Sequence, residues 1–290
     1  MMNRVMLLSA AMWLLHGCSQ VKPSPAGGQV EGLPEKKMSD VRYGDWPRNV
    51  MDVYLPAGRS PATPFALLIH GGGWVAGSKD NVRDYQDTLL KRGIAVASIN
   101  HRYADGVDTR YPQIMEDAAN ALEYCISHAK EWNTRSSGFV TTGISAGGHV
   151  ATLYAYTAKE KINAVVDFTG PADLTDTATL NIMLKSGVSE FVRKLTGTAY
   201  TPGQPVPPAY ADASPVSHVK PLPILLIYGT ADAVVPYRQG LIMDSVLTAR
   251  GVPHGFISVQ GAGHDLRLND NTNRSRLYNE AVKWMQQYGK

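Results

Sequence analysis

The stretch FVTTGISAGGHVATLYAY, residues 139–156, decides the fold. It begins as a strand and ends as a helix, and the turn between them carries Gly143, Ser145, Gly147 and Gly148. Ser145 has two readings. It caps the helix that follows, since serine satisfies the free N–H groups of a first turn, or it is a nucleophile held up to solvent. The Gly-x-Ser-x-Gly pattern asks for more than a cap. A very tight strand-to-helix turn pushes its middle residue into a strained backbone geometry, and glycines flank it because a Cβ there would strike a neighbouring strand or helix. Strain of this kind persists where function needs it.

The same alternation continues on both sides. PFALLIHG (64–71) is a continuous apolar run ending in glycine, the mark of a strand buried on both faces. IAVASINHRY (94–103), INAVVDFTG (162–170), PILLIYG (223–229) and the shorter GFISVQG (255–261) read likewise. Between them, residues 81–93, 111–132, 235–251 and 274–289 have helical spacing, with Pro112 suited to a first turn and Gly93 to a C-cap. VRYGDWPRNVMDVYLP (41–56) reads as two short antiparallel strands stopped by Pro56. Strands alternating with helices predict an α/β fold: a mostly parallel central sheet with helices on both faces. Residues 174–220 break the rhythm and are too long for a plain connection; they predict a small helical lid insertion over the strand ends, where ligands bind in such sheets.

The chain has 290 residues, 44% of them hydrophobic, enough for one sizeable core. Its formal charge is +3 without a basic cluster among aromatics, so nothing points to nucleic acid. Residues 1–18 read as an export signal: Arg4, then an apolar run from Val5 to Leu15, then small residues and Cys18. Leu15-His16-Gly17-Cys18 is similar to the lipobox of bacterial lipoproteins, apart from His16, which implies a lipid anchor to the membrane through Cys18 and a place in the bacterial envelope. The alternative is a plain signal peptide and a periplasmic or secreted protein. Residues 19–38 read as a flexible tether and 39–290 as the globular domain. Cys125, in a helical pattern, reads as a small core residue. No cluster has zinc-ligand spacing.

A serine hydroxyl attacks only when a base takes its proton. His264, in the glycine-rich loop VQGAGHDL after the last strand, is the favoured base. His149 is the rival, four residues past Ser145 on the same helix, but it should point into the protein body. The base needs an orienting carboxylate. Asp232, just past a strand in YGTADAVVP, is favoured; Asp173 in TGPADL is the rival. HGGGWVAGS (70–78) leaves bare main chain after a buried strand. The N–H groups of Gly72 and Gly73, with that of Ala146, can face one oxygen and stabilise an oxyanion. A phosphate-binding turn fits badly, since neither GxGxxG nor GK[ST] is present. His70 is expected to order the glycine loop through a hydrogen bond. Trp74 is placed to wall the substrate pocket. Val75, Met183, Leu184, Phe191 and Val192 are candidates for its apolar lining or for ordinary packing.

With HGGGW, NHRYA, YPQIMEDAANAL, GISAGG, YGTADAVVP and GAGHD in this order, the chain resembles an α/β-hydrolase carboxylesterase of the group related to hormone-sensitive lipase and to small bacterial carboxylesterases and carbohydrate acetyl or feruloyl esterases. The resemblance covers residues from Tyr43 to the C-terminus. It implies Ser145 as nucleophile, His264 as base, Asp232 as its partner, and Gly72, Gly73 and Ala146 as oxyanion donors, with neither cofactor nor metal. Ile144 stands where many members have an acidic residue, and a long N-terminal helical cap is missing. Both departures favour the compact bacterial carboxylesterases. The expected substrates are short-chain acyl esters, on small molecules or on carbohydrates. The other readings are a prolyl-oligopeptidase-like peptidase or amidase, and an inactive binding protein on the same scaffold.

Overall fold

The structure is a computed structural model that describes residues 32–290. The export signal, Cys18 and most of the tether lie outside the described residues. From the N-terminal side the elements are β1 (Lys36–Arg42), β2 (Val50–Leu55), β3 (Phe65–Ile69), α1 (Arg83–Lys91), β4 (Ala95–Ile99), α2 (Tyr111–Ser127), α3 (Ala129–Trp132), β5 (Phe139–Ile144) and α4 (Ala146–Thr157). There follow β6 (Ile162–Phe168), α5 (Thr177–Ser186), α6 (Ser189–Thr196), α7 (Pro208–Asp212), β7 (Ile224–Gly229), α8 (Arg238–Ala249), β8 (His254–Val259) and α9 (Asn271–Tyr288).

The strands form one sheet in the order β1-β2-β4-β3-β5-β6-β7-β8. β1 pairs antiparallel with β2, and β2 antiparallel with β4. Every pair from β4 to β8 is parallel. The central strands β3, β4, β5 and β7 are buried almost throughout, which is why their sequences are mostly apolar and carry no charge. Alternate residues feed two cores. Leu67, Ile69, Ala97 and Leu226 face α2, α4 and α8; Leu68, Val96, Val166 and Ile227 face α1 and α9. This sheet, covered by helices on both faces, is the α/β-hydrolase fold. Cys125 lies fully buried in the first core, where burial pushes its thiol well above the ordinary range.

β1 begins at Lys36, inside the stretch read as tether. It is an edge strand, mostly exposed, and its KKMSD run carries charge where the apolar alternation was sought. Charged side chains on an edge strand also discourage pairing with another chain.

Because β3 to β8 run parallel, their carboxyl ends share one edge of the sheet. The loops after β3, β5, β7 and β8 therefore meet there, and they carry the glycine run, Ser145, Asp232 and His264 in turn. The insertion after β6 folds as α5, α6 and α7, with a short 3-10 turn at Pro215–His218. Its root is pinned by Gln239 of α8, a fully buried amide. The Gln239 oxygen accepts from the main-chain N–H of Ala172 at 2.8 Å and of Asp173 at 2.7 Å, and its nitrogen donates to Thr179 Oγ1 at 2.9 Å. Replacing Gln239 with Leu keeps most of the volume but strands two buried N–H donors. Each such donor costs about 1–3 kcal/mol, so Gln239→Leu is expected to lower unfolding free energy by about 2–6 kcal/mol. Urea denaturation followed by tryptophan fluorescence measures it, and a loss below about 1 kcal/mol contradicts the pinning role.

Candidate active site

The turn from β5 into α4 is as tight as its glycines require. Ser145 has φ +59° and ψ −124°, a conformation that β-carbon-bearing residues rarely adopt. Its side chain caps no helical N–H, so the capping reading falls away. Gly147 is indispensable for packing: a Cβ there would sit on the carbonyl oxygen of Ile69 in the neighbouring strand. The Ser145 N–H is held by Phe168 O at 2.7 Å. These contacts leave the hydroxyl projecting from the sheet edge.

His264 reaches that hydroxyl, with its Nε2 at 2.8 Å from Ser145 Oγ. Its Nδ1 lies 2.8 Å from Asp232 Oδ2. The Asp232 carboxylate is buried and saturated with donors. Oδ1 accepts from the N–H groups of Val234 at 2.8 Å and Val235 at 2.9 Å, and Oδ2 also accepts from Thr169 Oγ1 at 2.8 Å. Burial opposes ionisation of Asp232, but the bonds from His264, Thr169 and Val234 together hold its carboxyl below the ordinary range. The rivals take other parts. Asp173 accepts locally from Thr175, through N–H at 2.8 Å and Oγ1 at 2.6 Å. His149 is fully buried; its Nε2 donates to Ala213 O at 2.7 Å and its Nδ1 accepts from Trp74 Nε1 at 3.2 Å.

The glycine run folds back beside this group. Gly72 has φ +121° and Gly73 φ +58°, and a Cβ on Gly72 would overlap the carbonyl of Ala76. Among the described residues the N–H groups of Gly72 and Gly73 have no hydrogen-bond acceptor. Ala146 opens α4, and the first N–H of a helix has no partner within it. Gly72, Gly73 and Ala146 line the same cavity as Ser145 and His264.

A scaffold of stacked imidazoles and paired charges holds the run in shape. His70 Nδ1 donates to Gly71 O at 2.6 Å, as its sequence position predicted. Its ring stacks on His101, with centroids 4.6 Å apart. Arg48 donates to Gly77 O at 3.0 Å and to His101 O at 2.7 Å, and lies 3.6 Å over the Tyr103 ring. Tyr103 also donates to Gly77 O, at 2.5 Å. Lys79 closes the far end, buried between Asp52 at 2.9 Å and Asp40 at 3.0 Å.

The cavity above Ser145 measures about 480 Å³. Trp74, Val75, Met183 and Phe191 line it, as expected. Leu184 and Val192 do not: Val192 points into the core and Leu184 packs against it. Val188, Val234, Val235, Ile144 and Pro171 complete the wall. Phe191 rests on the glycine run; a Cβ on Gly73 would come within 2.9 Å of its ring.

Two functional positions escaped the sequence reading. Thr169, with φ +51°, presents its hydroxyl to Asp232. Beneath it, buried Asp167 accepts from Gly170 N at 2.8 Å and meets Tyr228 Oη at 2.8 Å. Tyr228 Oη also bonds Gly170 O. A hydroxyl has one proton to donate, so with Tyr228 bonded to Gly170, a protonated Asp167 completes the chain. Burial raises the Asp167 carboxyl to about 7 in that sense.

A model of the BD-FAE family matches residues 51–247, more than half of the chain. The chain belongs to the BD-FAE family. Among curated relatives of this BD-FAE protein is the esterase LipC of Mycobacterium tuberculosis, 27% identical over 252 residues that cover 79% of this chain and 60% of LipC. The chain thus spans about half to three-fifths of the first relatives it matches. Among solved structures, a truncated carbohydrate esterase from gut microbiota superposes with a TM-score of 0.71 at 24% identity, covering 89% of this chain and 99% of that one. A bifunctional GH43-CE protein of Bacteroides eggerthii gives 0.72 at 25% identity, covering 88% of this chain and 35% of that one.

Three buried histidines of this BD-FAE chain stay neutral. Burial lowers His70 to about 3, His101 to about 4 and His149 to about 4. Each is lowered from its unfolded value, so its contribution is complete above about pH 6.5 and is lost as pH falls toward the folded pKa. Asp167 has the opposite sign: raised in the folded state, it contributes at low pH and loses that contribution as pH rises through about 7. Three groups outweigh one between pH 6.5 and 4.5. The melting temperature is expected to fall steadily across that interval, as scanning calorimetry reads; a flat profile would show that the rings titrate freely.

Proposed function

We propose that the protein is a serine carboxylesterase that cleaves short-chain acyl esters, including acyl groups carried on carbohydrates, through an acyl-enzyme. The observation that carries this reading is the unbroken line from Asp232 through His264 to the Ser145 hydroxyl, both links 2.8 Å, beneath N–H groups that nothing else occupies. His264 Nε2 takes the Ser145 proton as Oγ bonds to the ester carbonyl carbon. The carbonyl oxygen becomes an anion facing the N–H groups of Gly72, Gly73 and Ala146. Each such donor contributes about 3 kcal/mol to the transition state. Collapse breaks the C–O bond to the alcohol, which leaves with the proton from His264. Water, giving its proton to His264, then attacks the acyl-serine, and Ser145 departs with that proton as the acid is released. Asp232 keeps the imidazole in the needed tautomer and stabilises its charged form.

The cavity walls support an apolar acyl group in the pocket, with the polar alcohol portion toward solvent. The likeness to a carbohydrate esterase and to a GH43-CE protein supports a carbohydrate-linked ester. Among esterases, we place the chain with the compact bacterial carboxylesterases beside the hormone-sensitive-lipase-related group. We also propose that Cys18 is lipidated and tethers the domain to the cell envelope; a Cys18→Ser variant should leave the membrane fraction.

Ser145→Ala is expected to lower hydrolysis of p-nitrophenyl acetate by about 10⁴-fold or more while the melting temperature holds. It should also abolish labelling by a fluorophosphonate. Retained turnover, or labelling at another serine, removes the proposed nucleophile. A panel of aryl esters from acetyl to dodecanoyl, acetylated xylan, feruloyl esters and aminoacyl amides tests the substrate class; preference for amides or for dodecanoyl esters over acetyl to butanoyl ones contradicts it. Thr169→Val removes one hydrogen bond from Asp232, worth about 1 kcal/mol, and should lower kcat roughly fivefold with KM unchanged, with Thr169→Ser restoring it.

A further inference from the structure

A second cavity, of about 560 Å³, lies between the β1–β2 loop and α2. Trp46 stands at it with 53% of its surface exposed. That exposure is built into the loop. The Trp46 N–H donates to Asn49 Oδ1 at 3.1 Å, its carbonyl accepts from Asn49 N at 2.8 Å and from Arg42 at 3.2 Å, and Asn49 in turn donates to Tyr43 Oη at 3.3 Å. The Arg102 guanidinium lies 5.0 Å from the indole ring and is itself fixed by Asp117 at 2.9 Å and Glu116 at 2.6 Å. These bonds fix the main chain at Trp46, and about half of the indole is left open to water beside the Arg102 guanidinium.

The rest of the cavity offers hydrogen bonds. Asp45, Asn120 and Glu123 line it, and among the described residues their side chains have no hydrogen-bond partner there. The charge in the cavity is acidic, and its neighbouring cation, Arg102, is already paired, so an anionic ligand is disfavoured. No group of three or more His, Cys, Asp or Glu among the described residues is placed to hold a metal ion. What remains complementary is a neutral, polyhydroxylated ligand with an apolar ring face for the indole and hydroxyls for the amide and carboxylates.

The position suits such a ligand. β1 runs parallel with β4, so the β1–β2 loop lies at the same sheet edge as Ser145. From β2 to β5 there are three strand spacings, roughly 14 Å. We infer that the Trp46 cavity is a binding site for a neutral glycan, holding the polymer beside the Ser145 pocket. The link between the two sites rests on the carbohydrate-ester reading; the binding site itself does not.

The test uses the Ser145→Ala protein, which binds without turnover. Calorimetry with xylohexaose, mannohexaose and cellohexaose should give binding to at least one, weakened about tenfold or more by Trp46→Ala, as loss of an aromatic anchor predicts. Asn120→Ala, remote from the loop, should weaken the same glycan, and calorimetric melting confirms that each variant is folded. In the wild-type background, Trp46→Ala should leave p-nitrophenyl acetate turnover unchanged and raise KM for polymer-borne ester. No binding of any of the three glycans, or binding that neither variant weakens, overturns the inference. Glycan binding that needs Trp46 in a protein that hydrolyses no ester upholds the site and removes the esterase reading instead.

Discussion

The contact on which the site depends is the approach of the α4 N-terminus to the carbonyl oxygen of Ile69. Only hydrogen at the Gly147 α-carbon permits it. That approach fixes the turn, and the turn forces Ser145 into its positive φ. The strain is held by strands on both sides, with Phe168 O gripping the Ser145 N–H. Once the turn is set, the parallel sheet does the remaining placement. Each loop leaving a carboxyl end contributes one piece, and no piece needs a long reach.

Electrostatics then works mostly with neutral groups. The imidazoles around the glycine run are kept uncharged by burial, and the Asp167 carboxyl is pushed up to about 7 by the same cause. Asp232 is an anion in a buried place, and four donors converge on it. Two other buried carboxylates are matched by cations, Asp52 by Lys79 and Asp117 by Arg102, and the hydroxyl itself faces the imidazole, one carboxylate and main-chain dipoles.

How much of this could be read from the amino acids follows from what each feature requires. The elbow and the glycine run were legible because they are local backbone constraints, and glycine is the direct answer to each. The inner strands were legible because burial on both faces leaves few polar positions. β1 was not, since an edge strand tolerates Lys36, Lys37 and Asp40. The pocket wall was read in part. Leu184 and Val192 lie on the right helices, but whether a residue faces core or cavity depends on how α5 and α6 roll against the sheet, which spacing over a few turns does not decide. Thr169 and Asp167 left no pattern, because each acts through a partner distant in sequence.

One imidazole also ties together two segments distant in sequence. His149 accepts from the indole of Trp74 on one side and donates to Ala213, in the insertion, on the other. Its ring thus bridges the segment that carries the glycine run and the main chain of the insertion, so the seat of the indole on the cavity wall is set in part by where Ala213 lies.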